Sequence, residues 1–548
     1  MKRTRKVTAA LAALALAAVP ATAAAHGGDG HGHQSPQHHA DHHRSGHGSP
    51  GHGHGSPGHG GGPGHPGHPT PPPPQPDPLS AGPLMVTVDQ YGSVPNHYSG
   101  TPADWSELNT IAGQFSADGL QLGSIAYHFP RFEPTDVALS TDTDQISSAA
   151  LAPLLYSGTT GPSGLEAPLL AAANGSFAPA AAAGKIVVVS QLSGGALDPA
   201  ITAAIAAGAK GLVYVTNGVA DLPRKEDVNS RQGTGDFPVL LVGKQSGAKV
   251  VADAVAGENG DLTLQAKLGT ATDYDVWGVL PGSDPSRRVF VGTPASSFVP
   301  SASERGGGIA ILLGLAKHYA QEPRSQRPET LVFLATTGHE VGFLGLQALI
   351  EAKGSWFTGA DAYVHMGASL GAPTGVENPD GSITVTPVPP AGLKLHDSEN
   401  PLLESTSEAA FAAAGQPLGD EAPHLGGGGE QVYAYQADVP EIAANGGSLW
   451  FHTAADVPSV VDPGILTRLA AGYRGSVDAI LAQAPGAVQA ANTAADAYAA
   501  AAPTLADSRA PVNPVLGAAG VGGTPPQVAG PGPWQSGPWQ SGPWSSGW

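Results

Sequence analysis

From Tyr274 to about Ala484 the chain alternates short, almost wholly apolar runs with helical stripes, and this alternation constrains its fold more than any other feature. RRVFVGT reads as a strand, Gly306 to Tyr319 (GGGIAILLGLAKHY) as a helix and ETLVFLATT as a second strand. Helix FLGLQALIEA, strand DAYVHMGASL and a helix around Leu402 to Ala414 follow. A further strand precedes SLWFHTAADVPSVVD, and an amphipathic helix runs from Gly464 to about Ala484. Strands apolar on both faces need cover on both faces. The order therefore predicts an α/β fold, with a mostly parallel mixed sheet sandwiched by helices. The ETLVFLATT strand runs directly into the glycine-punctuated turn TGHEVGFLG. That turn presents His339 and Glu340 side by side at the strand's carboxyl end, where open α/β sheets place ligands and chemistry. It is not the HExxH zinc motif, because Phe343 stands four residues after His339.

With 548 residues the chain can hold two or three domains and a sizeable core. Its ends contribute little to that core. Residues 1–25 carry a basic start, an Ala/Leu run and ATAAA before His26, the pattern of a secretory leader cut after Ala25. No later segment is a long apolar run, so the expectation is a secreted protein that does not span the membrane. Residues 26–82 form a His/Gly/Pro-rich linker too polar to fold. Its stretch 26–68 holds 13 of the 21 histidines, and PTPPPPQPDP then stiffens it toward polyproline geometry. Imidazoles at that density can chelate zinc, nickel or copper, or the tract is simply a spacer. Residues 486–548 are an Ala/Pro/Gly-rich tail ending in GPWQS repeats with four of the eight tryptophans. Those rings can stack on a cell-surface polymer. The absence of cysteine excludes disulfides and thiolate chemistry, and a net charge of −20 argues against nucleic acid.

Order is expected from about Met85, with a helix in ADWSELNTIAGQFSADGL and a strand in GSIAYHFPRF. Residues 140–270 read as a β-rich module with short helices, built on GKIVVVSQ, AITAAIAAGAKGLVYVT and FPVLLVGKQSGAKVVADAV. It flanks the α/β parts at 83–139 and 271–485 without a catalytic constellation of its own.

In this order the segments LPGSD, VFVGT, ERGGGIAILLGLA, HEVGFLG and WFHTAAD resemble the secreted zinc aminopeptidases of peptidase clan MH. That superfamily includes glutamate carboxypeptidase and the non-catalytic transferrin receptor, and residues 140–270 are similar to its protease-associated insert. The resemblance implies two zinc ions about 3.5–4 Å apart and a glutamate general base. It places the family's first histidine and its supporting aspartate on Pro294 and Ser296, and the bridging aspartate on Glu304, followed by Arg305. The general base falls on His339, and further ligands on Glu340, His365 and His452. Glu340 and His452 keep the family's residue type, Pro294 cannot ligate, and an adjacent Arg305 could neutralise Glu304. The expectation is one zinc ion rather than two, on Glu340, His452 and either Glu304 or His365. His339 and Glu340 can instead pair with each other or with Arg305 as a buried polar knot.

Three readings remain open: a degenerate centre in a binding or scaffold protein with a peptide or protein ligand, a single-zinc hydrolase using His339 as base, and an extracellular metal binder acting through the histidine tract.

Overall fold

The computed structural model describes residues 76–492, apart from 191–196, 227–233, 399 and 421–428. The leader, the histidine tract and the Trp repeats lie outside the described residues. Helical order begins at Ala81, slightly ahead of Met85, because Leu84, Val88 and Tyr91 put one apolar stripe of the helix Ala81–Gly92 into the core.

Four strands lie parallel at the centre of the main sheet, in the order Glu441–Asn445, Ala362–Met366, Asp284–Pro294, Glu329–Thr336. Antiparallel neighbours flank them: Lys394–Asp397 on one side and the 22-residue strand Asn259–Leu280 on the other. The alternation expected of a two-faced sheet is visible residue by residue. Val289, Val291, Leu331, Phe333 and Ala335 join the core beneath the helices Ala81–Gly92, Gly307–Ala320 and Pro463–Leu481. Phe290, Val332 and Leu334 point the other way, onto Leu346, Leu349 and Phe357. The fold is therefore the α/β mixed sheet flanked by helices that the alternation predicts.

The strand Gln121–Thr141 pairs antiparallel along nearly the whole of Asn259–Leu280. Near its start, Asn259–Leu280 also pairs with Leu165–Ala173, which opens a second parallel run through Ile186–Ser190, Gly211–Val215 and Val239–Val242. The stretch 140–270 thus carries parallel strands with helices at Leu197–Ala206 and Lys244–Ala256.

Close approach explains several glycines. In the helix Gly307–Ala320, a Cβ on Gly307 would lie 2.1 Å from the Leu370 carbonyl oxygen, and one on Gly308 2.4 Å from Thr293 Oγ1. This lets the helix start directly against the sheet. At the crossing of Pro401–Ala413 with Pro463–Leu481, a Cβ on Gly472 would lie 2.3 Å from Phe411 Cδ1. The Phe411 ring is buried edge-on to Tyr473, with centroids 5.2 Å apart, and has nowhere to go. Overpacking there exceeds the helix-propensity gain, so Gly472→Ala is expected to cost about 1–2 kcal/mol. Gly113, exposed within the helix Pro102–Ala117 and with open space around its Cβ, should show the opposite sign. Gly113→Ala is expected to gain about 0.5–1 kcal/mol. Denaturant midpoints at unchanged slope will read both effects.

Candidate functional site

The carboxyl ends of the central parallel strands deliver three segments to one place. The strand Asp284–Pro294 leads through Ser296 to Ser301, then into a single π-helical turn, Ala302–Gly306, that precedes Gly307–Ala320. π-turns recur at functional sites because the widened loop re-aims side chains. Here the turn turns both Glu304 and Arg305 inward, each 1% exposed. The strand Glu329–Thr336 delivers His339 and Glu340, and the loop after Glu441–Asn445 delivers His452 and Asp456.

The site is built around a guanidinium. Arg305 Nη2 lies 3.0 Å from Glu304 Oε1 and 3.0 Å from Glu340 Oε1, and its Nε donates to the Ser296 carbonyl at 3.2 Å. The second oxygen of each carboxylate is also used. Ser301 Oγ donates to Glu304 Oε2 at 2.9 Å, and Ser296 Oγ to Glu340 Oε2 at 2.8 Å. His452 Nε2 lies 3.0 Å from Glu304 Oε1, while its Nδ1 lies 3.0 Å from the Lys225 carbonyl oxygen. Both ring nitrogens thus lie close to oxygen atoms of the site and of the Lys225 main chain.

Burial would push the Glu304 carboxyl up, but the charges of His452 and Arg305 outweigh it and hold the group down at about 2. Burial would likewise lower the Arg305 guanidinium, and Glu304 and Glu340 raise it instead. Glu304 and Arg305 therefore stay ionised at every physiological pH.

Asp456 fastens the turn from behind, accepting from Ser303 N at 2.9 Å and Glu304 N at 3.0 Å. Burial pushes its carboxyl up to about 7.

His339 stands beside this network. Its Nδ1 lies 3.2 Å from Glu430 Oε2, and its ring meets Phe343 edge-on at 4.6 Å. Burial first, then the positive charge of Arg305, lowers its pKa well below the usual range, so it is neutral. Glu430, wholly buried and hydrogen-bonded by Thr336 Oγ1, is pushed up to about 8 by burial. The turn carrying His339 is supported from below. Tyr127 Oη bonds Thr337 Oγ1 at 2.8 Å, Thr337 N donates to Asp275 at 2.8 Å, and Gly338 N donates to Ser99 Oγ at 3.0 Å. Gly338 adopts φ 68°, and a Cβ there would lie 2.4 Å from Tyr127 Oη, so only glycine fits.

Of the residues named from sequence, the structure joins Glu304, Glu340 and His452 through Arg305 and sets His339 next to them. His365 keeps to its strand: its Nδ1 lies 3.1 Å from Tyr363 Oη, and burial lowers it to about 3. Pro294 ends its strand without a donor. Sequence reasoning missed Glu430, whose one local signal is a lone acid after GGGG, and the supporting Tyr127 and Asp275. The donor set does not fit a metal ion. Its two carboxylates are already shared with a guanidinium. Among the described residues, no group of three or more His, Asp or Glu side chains is disposed to hold a metal.

The architecture is that of the zinc aminopeptidases. The zinc aminopeptidase BSAP of Bacillus subtilis superimposes with a TM-score of 0.58 over 74% of this chain and 95% of its own, at 20% identity. A peptidase M28 precursor from Shewanella amazonensis gives 0.60 over 73% and 93%, at 16% identity. The aminopeptidase of Aneurinibacillus sp. strain AM-1 gives 0.53 over 73% and 93%, at 17% identity. Neither a protein-family model nor a curated protein sequence matches the chain. At these identities the likeness establishes a zinc-aminopeptidase-like fold.

The buried acid behind His339 has a consequence for pH. Glu430 titrates near 4.5 when unfolded and at about 8 when folded, so the folded state binds its proton more tightly. The stability this contributes is complete below pH 4.5 and is lost as pH rises toward 8. Glu430→Gln does not titrate. Its stability relative to wild type is expected to improve across pH 5–8 by up to about 1.4 kcal/mol per unit, read from denaturant midpoints. Parallel profiles would contradict the assignment.

Proposed function

We propose that this chain is an exported aminopeptidase-fold protein whose centre has lost peptide hydrolysis and which serves as a binding or scaffold protein for a peptide or protein ligand. One observation carries the reading: the guanidinium of Arg305 stands between Glu304 and Glu340, the carboxylates a hydrolytic metal would need. Metal-assisted hydrolysis requires a cation with an open position that can polarise a carbonyl or activate water. A guanidinium held by two carboxylates and a carbonyl has no coordination position to offer a substrate or water. Substitution of His339 at the expected base position works in the same direction. The imidazole is oriented by Glu430 and packed on Phe343 rather than poised over a metal-bound water.

The single-zinc alternative on Glu340, His452 and either Glu304 or His365 would require Arg305 to withdraw from the buried carboxylates it pairs with, which is strongly unfavourable. The terminal segments add to the binding reading. The leader directs export, the histidine tract chelates divalent metal outside the cell, and the Trp repeats attach to a surface polymer.

The test is a panel of aminoacyl and dipeptide substrates assayed with the purified protein, with and without chelator and added zinc. Turnover at the uncatalysed background is expected in all conditions. Chelator-sensitive hydrolysis that disappears in His452→Ala would overturn the proposal.

A further inference from the structure

We propose that Arg305 is the resident cation of this site, doing permanently and from within the chain the charge-balancing and cross-linking work that a bound metal ion would do. The inference rests on the degenerate-centre reading and deepens it, because it says what holds the centre together. Ligand-type side chains arrive there from three segments far apart in sequence: Glu304 on the π-turn, Glu340 on the turn after Glu329–Thr336, and His452 on a loop. Two buried carboxylates converging on one point repel each other unless a cation sits between them. Arg305 Nη2 is at 3.0 Å from both. Its Nε bond to the Ser296 carbonyl fixes the fork, and the side chain is among the largest wholly buried ones in the molecule.

The field of this one group is felt across the site. Its charge holds Glu304 down, opposes the rise of Glu430, and helps keep His339 and His365 neutral. A metal ion placed among these carboxylates would face a fixed positive charge that neither pH nor chelation removes. The wild-type centre is therefore closed to divalent metal and independent of it. Removing the guanidinium while leaving Glu304, Glu340 and His452 should create a cluster in need of a cation.

The experiment is thermal denaturation of the full chain, as wild type, Arg305→Ala, Arg305→Gln and Arg305→Ala/His452→Ala, each with chelator and with added zinc. The wild-type Tm is expected to be the same in both conditions, which also controls for zinc held by the histidine tract. The single variants should melt roughly 5 °C or more lower in chelator and recover part of the loss in zinc. The double variant should recover none. The proposal is overturned if chelator lowers the wild-type Tm, or if the single variants melt like wild type or fail to respond to zinc. Both single variants remaining insoluble with and without zinc would also overturn it. Failure here is separable from failure of the functional reading. Wild-type peptide hydrolysis that survives chelator sinks the reading and leaves Arg305 in place, whereas a chelator-sensitive Tm without hydrolysis sinks only the role of Arg305.

Discussion

A charged side chain in a protein interior must be fully accompanied, and the centre of this molecule is arranged around that requirement for Arg305. Desolvating an isolated guanidinium costs several kcal/mol even after relaxation, so each contact it makes is obligatory. Those contacts reach two glutamates and a main-chain carbonyl, and the glutamates in turn engage Ser301, Ser296 and His452. The result is a network in which no member can be changed alone without leaving a buried charge exposed to its neighbours. Such networks are weak evidence for net stability but strong determinants of geometry.

The surrounding fold supplies the rigidity this arrangement needs. Close packing of Gly307 and Gly308 on the sheet sets where the π-turn must fall, and Asp456 closes that turn from the opposite side. Buried acids and hydroxyls under Thr337 and Gly338 hold the His339 turn. The site is thus over-determined by backbone contacts, which suits recognition by fixed shape at least as well as it suits chemistry.

Much of this was legible in the chain itself. The strand–helix alternation after Tyr274 announces the sheet, and the apolar runs alternate between its two faces as Leu331 and Val332 do. The placement of His339 and Glu340 at a strand's carboxyl end follows from the same topology, whereas Glu304 and His452 were named through the family resemblance. The long paired strands were visible only in part: GSIAYHFPRF reads as a strand despite Pro130, but its continuation through Pro134 to Thr141 leaves no clear pattern. Both prolines are tolerated because this strand pairs with Asn259–Leu280 alone and is otherwise an edge. Glu430 was invisible for a different reason. It meets His339 across 91 residues of sequence, and a contact of that range leaves no local pattern. The role of Arg305 lay between these cases: adjacency to Glu304 suggested neutralisation, but only the fold brings Glu340 to its other side.

Backbone conformation at the site depends on contacts that reach far along the chain. Ser301, Phe343 and His452 are non-glycine residues held at φ 49°, 61° and 59°, in the left-handed region that a free chain visits rarely. His452 is kept there by a reciprocal main-chain and side-chain pairing with Lys225, whose N–H donates to the His452 carbonyl at 3.0 Å and whose own carbonyl accepts from the ring. Neither half of that pairing is local, since 227 residues of sequence separate the partners. The backbone of a residue in the ionic centre is therefore held by a remote part of the chain. The integrity of that centre then reports on the correct assembly of two distant parts of the chain.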